Sequence, residues 1–328
     1  MRVLLVKMSS LGDVVHTLAA VTDALRARPD LSIDWVAEES YQSIPGWHPG
    51  VRRVIPVALR RWRRSPWPMI RDQQWFKFRT ELRRDVYDLV LDAQGLIKSG
   101  WIARQARGTV AGRSRQSARE PLAAAFYQQK HEIDLSLPEV EQLRQLFARA
   151  LDYPVPGTPA DFGIDPKRIP SANRTPGYVV LAHGAAWKSK LWPVESWVSL
   201  ARTLAGEGLK VLLPWGGDEE RARAEHIAAS CAGEVLPRLD IPQIAGVLAQ
   251  ADLVVGLDTG ITHIAIALGR PTITLYGPSV PVYAQVAGNR VIHLASTEAK
   301  TVDTRRENTV RLVEVLRAVA RIRGAKRP

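Results

Sequence analysis

Cysteine is nearly absent from this chain: one residue, Cys231, in 328. An intrachain disulfide framework is therefore excluded, and the lone thiol reads as a packing residue rather than a nucleophile. Long apolar runs are also missing. The opening run covers only residues 3–6 between Arg2 and Lys7, too short for a signal peptide. No stretch approaches the ~20 apolar residues of a membrane span, so the expected location is the cytoplasm. Histidine is sparse and scattered. His16, His48, His131, His183, His226, His263 and His293 form no paired spacing with carboxylates or cysteines, so no metal site is expected. Short repeats and low-complexity segments are lacking as well.

Positive charge is plentiful. The formal net charge is +12, which favours an anionic partner: nucleic acid, an acidic membrane surface or a phosphorylated substrate. At 46% hydrophobic and 24% charged, the composition is that of an ordinary globular protein, and the length suits two domains. Short apolar runs at 3–6, 33–37, 51–57 and 87–91 read as buried strands, with a polar loop over 8–12 and helices near 14–25, 71–84 and 95–107. Strands alternating with helices predict an α/β protein with a mostly parallel sheet. Six prolines between 152 and 176 then break the pattern. A second α/β half follows, with strands at 178–182, 210–213, 253–256 and 272–276. Its helices are predicted at 194–205, 219–229, 241–250, 261–268 and about 307–322. The division predicted is an N-terminal domain over 1–152, a linker over 153–176 and a C-terminal domain over 177–328. The last helix is a candidate to pack back on the N-terminal domain.

Several segments carry residues suited to chemistry. Gly256 to His263, GLDTGITH, lies between an apolar strand and an apolar helix. Ligands of open α/β sheets bind at strand carboxyl ends, and a helix N-terminus suits phosphate. Thr259 and Thr262 add hydroxyls, Gly260 permits close approach, and Asp258 or Thr259 equally well caps the helix. His183 to Pro193, HGAAWKSKLWP, offers Lys188 and Lys190 to a diphosphate, whereas Trp192-Pro193 reads as structural. A glycine turn at Gly216-Gly217 precedes Asp218, Glu219 and Glu220. Acidic groups there stabilise a first helical turn or hold ribose hydroxyls.

In the N-terminal half, Ser9-Ser10-Leu11-Gly12-Asp13 lies where the first strand meets its helix. Asp13 is placed either to accept a proton from a hydroxyl or to favour the helix dipole. The segment is not a P-loop. Arg60, Arg61, Trp62, Arg63 and Arg64 form the densest basic run, and guanidinium forks beside tryptophans favour an anion-binding surface. Asp92 to Ser99, DAQGLIKS, brings Lys98 to another strand end. The basic C-terminus from Arg317 to Arg327 reads as a solvated tail.

Taken together, MRVLLVKMSSLGDVVHTL, DAQGLIKS, HGAAWKSKLWP, PWGGDEE and GLDTGITHIA resemble the lipopolysaccharide heptosyltransferases of glycosyltransferase family 9, type I more than type II. The five occur in the family's order across nearly the whole chain. The resemblance implies the GT-B fold, two Rossmann-like domains facing a cleft. It implies an inverting transfer of heptose from ADP-heptose to the Kdo of Kdo-lipid A in lipopolysaccharide core synthesis, with no cofactor. A related GT-B transferase with another nucleotide sugar or core acceptor is the alternative. A nucleic-acid-binding protein using the arginine run is a more remote one, since no RNA- or DNA-binding motif accompanies that run.

The resemblance assigns roles by position. Asp13 matches the base and Lys190 the lysine at the diphosphate sugar. Glu220, with Glu219 adjacent, matches the acidic residue at the ribose, and Leu239 falls where backbone flanks the adenine. Asp258, Thr259, Gly260 and His263 match the nucleotide-sugar signature. Ser10, Gly12, Arg60, Arg61, Arg63, Arg64 and Lys98 fall on the acceptor side. Some members carry hydroxyl residues where this chain has Ala185 and Ala186, so donor contacts there must come from the backbone. The partners implied are ADP-heptose, Kdo-lipid A and the cytoplasmic face of an anionic inner membrane, with no nucleic acid.

Overall fold

Strands buried on both faces read as unbroken apolar runs, and that is how the runs of this sequence are used. A computed structural model describes residues 1–65, 67, 71–277, 290–296 and 308–324. The chain divides into two units, Met1–Arg168 and Ile169–Pro328.

The first unit runs β1 (Arg2–Val6), α1 (Leu11–Ala27), β2 (Ser32–Glu38), α2 (Ser43–Gly46), β3 (Val51–Val57) and α3 (Leu59–Arg64). It continues with α4 (Gln74–Leu82), β4 (Leu89–Asp92), α5 (Ile97–Ala103), β5 (Thr109–Arg113), β6 (Gln129–His131) and α6 (Glu139–Leu151). Its strands lie in the order β3-β2-β1-β4-β5-β6, all parallel.

The second unit runs β7 (Tyr178–Ala182), α7 (Val194–Gly206), β8 (Lys210–Leu213), α8 (Asp218–Ala229), β9 (Glu234–Val235) and α9 (Ile241–Gln250). Then come β10 (Leu253–Leu257), α10 (Gly260–Ala267), β11 (Thr272–Tyr276), β12 (Val291–Ala295) and α11 (Leu312–Gly324). Its order, β9-β8-β7-β10-β11-β12, repeats that of the first sheet, again all parallel. In each sheet the chain reverses its direction of travel once, between β1 and β4 and between β7 and β10. The doubly wound α/β class expected from the sequence is the one observed.

Helix α1 buries Val14, Leu18 and Val21, as its spacing predicts, and α7 buries Trp197, Leu200, Ala201 and Leu204 against the second sheet. Each such large side chain contributes roughly 1.5–3 kcal/mol. Trp192 is structural: its Nε1 donates to the Val310 carbonyl at 2.7 Å and its ring meets Trp197 edge-on. Cys231 is half-buried against the same core.

The first part of the proline-rich segment is held by hydrogen bonds to the first unit. Arg144 donates to the Pro156 carbonyl, Asp161 pairs with Arg26, and the Asp165 amide and Arg168 bond to the Trp47 and Gly46 carbonyls. Gly163 has φ +57°, and a Cβ there would come within 2.4 Å of His48, so this chain fits only as glycine. The boundary between units thus falls after Arg168. The final helix packs on α7, β11 and β12 of its own unit. Of the basic segment from Arg317 to Arg327, the part up to Gly324 belongs to this helix and buries Ala318, Val319 and Ile322, so it is not a solvated tail; the rest, and Glu307 before the helix, lie outside the described residues.

Helix α6 was not among the predicted helices, although Val140, Leu143, Phe147 and Leu151 recur at helical spacing; its buried face also carries a charge. Arg144, 2% exposed, donates through Nε to Asp23 of α1 at 2.6 Å and pairs with Glu141. Asp23→Ala should strand this buried guanidinium. The expected loss is about 3 kcal/mol, the low end for a broken buried pair, because Glu141 and the Pro156 carbonyl remain. Urea denaturation checks it, and a loss under about 1 kcal/mol would mean that those two suffice.

Candidate active site

Ligands of doubly wound sheets bind outside the strand carboxyl ends, where strand order reverses. Both reversals in this chain are crowded with charge.

In the first unit, β1 and β4 end side by side. The Met8 amide donates to Gln94 Oε1 at 2.9 Å, and Gln94 reaches Ser9 Oγ. Ser10 precedes α1, with Gly12 and Asp13 in its first turn. The Ser10 amide and hydroxyl both donate to Asp13 Oδ2 at 2.9 Å. Arg119, which no sequence motif marked, brings Nη1 to 3.8 Å from the same oxygen. Burial alone would raise the Asp13 pKa. The Lys7 ammonium, the Ser10 amide, Arg119 and His16 outweigh it and bring the value to about 2. Asp13 thus caps its helix and stays ionised at working pH. A carboxylate of this kind accepts a proton only once the attacking oxygen is acidified by its new bond.

Asp92, at the end of β4, has a different duty. It is fully buried and accepts from Tyr127, Ser99 and the amides of Gln94 and Gly95, which shape the turn into α5. Gly95 turns with φ +70° against the Arg119 amide.

The arginine run forms the short helix α3, anchored by Trp62, which is buried and donates to Gln74. Not all four arginines are uncommitted. Arg60 bonds Glu38 through its amide and Tyr41 through its guanidinium, and Arg61 grips Glu39 through two nitrogens at 2.9 and 3.0 Å. Exposed pairs of this kind are worth under about 1 kcal/mol, so a phosphate can exchange for Glu39. Arg63 and Arg64 are exposed, with no carboxylate partner among the described residues. Burial raises the Glu38 pKa; Arg60 and, from the first turn of α5, the exposed Lys98 act against that rise.

In the second unit, the segment after β7 meets the end of β10. Lys190 Nζ lies 2.6 Å from Asp258 Oδ2 and 3.1 Å from the Asp258 carbonyl, and His263 Nε2 lies 3.2 Å from Oδ1. Burial opposes ionisation of Asp258, but His263 and Lys190 prevail and hold its pKa well below the usual carboxylate range. Thr259 is the N-cap of α10, and its buried hydroxyl has no hydrogen-bond partner among the described residues. Gly260 opens the helix. Thr262 is committed elsewhere, donating to the Leu257 carbonyl at 2.6 Å.

Glu220 accepts from the Gly216 amide at 2.7 Å, and its carboxylate lies against Gly184, where a Cβ would approach it to 2.5 Å. Glu219 is exposed. Of the two acidic candidates, Glu220 is the one at the β7 and β8 ends. Ala185 leans on the core while Ala186 is exposed. Leu239 is half-buried just before Asp240, which caps α9 in a reciprocal pair with Gln243. Among the described residues no group of histidines, cysteines and carboxylates is arranged to hold a metal ion.

Asp258 binds its proton less readily folded than unfolded. Its contribution to stability is therefore full well above its unfolded pKa of 3.8 and is lost as the pH falls through the lower folded value. The stability gap between wild type and Asp258→Asn should be widest near neutrality and should narrow towards about pH 3. Denaturation series across that range measure it, and a gap independent of pH would contradict the ion-pair origin.

The chain as a whole has counterparts among known proteins. The family model for glycosyltransferase family 9 (heptosyltransferase) matches residues 75–313. Lipopolysaccharide heptosyltransferase 1 of Pseudomonas aeruginosa is 48% identical over 298 residues, covering 90% of this chain and 84% of its own. The protein of that name from Escherichia coli K12 is 45% identical over 284 residues, covering 86% and 89%. Among solved structures, E. coli heptosyltransferase WaaC with ADP superposes with a TM-score of 0.88 at 40% identity, over 98% of this chain and 100% of that one. The same enzyme with ADP-2-deoxy-2-fluoro heptose gives 0.85 at 40% identity, over 98% and 99%. The fold is GT-B, and the chain belongs to glycosyltransferase family 9, the heptosyltransferases.

Proposed function

We propose that this enzyme transfers L-glycero-D-manno-heptose from ADP-heptose, with inversion, to the Kdo of Kdo-lipid A. The observation that carries this reading is the presence of two unlike clusters, one at the reversal point of each sheet. An ionised carboxylate among cations ends β1, and a lysine–aspartate pair beside a helix N-terminus ends β10. The names and bound nucleotides of the relatives support the choice of donor and acceptor.

The donor side follows from charge. ADP departs as a diphosphate, and its growing negative charge needs positive partners in place beforehand. The first amides of α10, the Thr259 hydroxyl and Lys190 supply them, with Asp258 and His263 fixing the lysine. Glu220 accepts from the ribose hydroxyls, the backbone at Leu239 borders the adenine, and Ala185 and Ala186 contribute amides alone. The positive charge needed at the leaving group is supplied by protein groups, so no metal or other cofactor is called for.

On the acceptor side, Asp13 takes the proton as a Kdo hydroxyl attacks the anomeric carbon. Charge at that carbon develops as in an oxocarbenium ion, and the C–O bond to ADP breaks as the new one forms. Arg63, Arg64, Lys98 and Arg119 are placed for the acceptor's carboxylate and phosphates, and Arg60 and Arg61 join by releasing their carboxylates. The acceptor is anchored in lipid, and this unit exposes Trp67, Phe76 and Trp101 amid basic residues. Such a surface suits peripheral contact with the cytoplasmic face of an anionic inner membrane. No helix among the described residues is long and apolar enough to cross one.

Incubation with ADP-heptose and Kdo-lipid A, read by mass spectrometry, should add the mass of one heptose. Asp13→Ala should retain ADP-heptose affinity and lose about 10²–10⁴-fold in turnover. Undiminished turnover in that variant would remove Asp13 from the mechanism. Donor binding without transfer by the wild type would point to another acceptor.

A further inference from the structure

A lysine ammonium rides on a flexible stem, so it is placed only as well as the backbone that carries it. Lys190 has little local support. It ends a single 3-10 turn, Lys188–Lys190, between β7 and α7, and Trp187 and Lys188 beside it are exposed. The turn's own bonds are short-range: the Lys190 amide donates to the Trp187 carbonyl and the Leu191 amide to the Lys188 carbonyl, each at 3.0 Å. One isolated turn fixes many dihedrals for few bonds and does not stand alone.

The support comes from the segment just before α11. Asn308 is 1% exposed. Its Nδ2 donates to the Lys190 carbonyl at 3.2 Å, and its Oδ1 accepts from the Val310 amide at 3.2 Å. Thr309 bonds Ser296 hydroxyl to hydroxyl, and the Ser296 amide donates to the Tyr276 carbonyl of β11 at 3.1 Å. Residues 308–310 are thus tied to the second sheet. Gly277, after β11, lets these segments meet. A Cβ there would lie 3.1 Å from the Ser189 carbonyl oxygen and 3.2 Å from Asn308 Cβ, so a side chain would hold them apart.

The partners set the orientation of the Asn308 amide. Reversed, it would face oxygen with oxygen and N–H with N–H. Its two bonds do separate things. The one to Val310 is a turn within its own segment. The one to Lys190 spans 118 positions and ends on the residue whose ammonium lies 2.6 Å from Asp258 Oδ2. Packing of this loop has its own anchor, since the Trp192 indole already donates to the Val310 carbonyl at 2.7 Å. Asn308 adds a hold on the lysine itself.

We propose that Asn308 is a positioning residue for the transfer reaction: its buried amide fixes the Lys190 backbone, so that the ammonium stands where the diphosphate of the donor departs. The inference rests on Lys190 meeting that diphosphate. It assigns no contact between Asn308 and either substrate.

The test is a double-mutant cycle, with Asn308→Ser and Asn308→Ala each made alone and together with Lys190→Ala. The serine can still accept from the Val310 amide but is too short to reach the Lys190 carbonyl; the alanine loses both bonds. The cycle is read in kcat/KM for heptose transfer and in ADP affinity by calorimetry, the second serving where Lys190→Ala turns over too slowly to follow. Each single Asn308 variant should lower kcat/KM about tenfold, within the ~10² that a misplacement of about 1 Å can cost, and should weaken ADP several-fold. In the Lys190→Ala background the same changes should cost less than about twofold. A folded Asn308 variant that keeps the wild-type kcat/KM or the wild-type ADP affinity overturns the assignment. Equal losses in both backgrounds also overturn it, because Asn308 would then support the unit and not the lysine. So does failure of both single variants to unfold cooperatively in urea. Undiminished transfer and ADP binding by Lys190→Ala is a separate failure, and it falls on the place given to that lysine at the diphosphate.

Discussion

In a parallel sheet each strand must be followed by a crossover that returns the chain to the starting end. All carboxyl ends therefore share one edge, and the helix after each strand points its unsatisfied amides towards that edge. Where the winding reverses, two neighbouring crossovers go to opposite faces and leave a crevice between them. Both sheets obey this constraint with the same strand order. It dictates that residues 86 and 68 positions apart, Met8 and Gln94 or Lys190 and Asp258, end as neighbours.

Within those crevices, stability and chemistry make opposite demands on a carboxylate. Burial favours the protonated form, whereas proton acceptance and ion pairing need the charged one. Asp13 and Asp258 resolve the conflict alike through nearby cations and a histidine, Lys7, Arg119 and His16 for the one and Lys190 and His263 for the other. Asp92 has neighbours of similar burial but only neutral donors, and its pKa moves the other way. Three aspartates at strand ends thus divide into two charged groups and one that shapes a turn, according to whether a cation was brought to them.

Much of this was legible in the sequence because buried parallel strands leave a plain mark. The runs at 178–182, 210–213 and 272–276 end where the structure ends them. Asp13, Lys190, Glu220 and Asp258 were visible through their place at strand–helix junctions. What stayed hidden was hidden for physical reasons. Helix α6 has Val140, Leu143, Phe147 and Leu151 at helical spacing and was readable though not predicted; what its stripe did not show is the buried Arg144. Strands β5, β6 and β12 are short or carry polar residues, and β5 includes a glycine. Arg119 reaches Asp13 from a segment without any motif, and Lys7 looked like the flank of an apolar run. The arginine run showed its charge but not its partners, because Glu38 and Glu39 lie on the far side of β3 in sequence. Thr262 looked like a ligand hydroxyl, yet a helix so close to its strand needs that hydroxyl at the Leu257 carbonyl.

Glu139 has a consequence of another kind. It stands in the first turn of α6, far along the chain from the substrate-facing loops, and it serves Lys7 and Arg113 together. A lineage cannot drift at this position one step at a time, since a neutral replacement leaves two interior cations facing each other. Positions 7, 113 and 139 therefore constrain one another. A recombination breakpoint between β5 and α6 would leave this cluster whole only where both parents carry the same three residues.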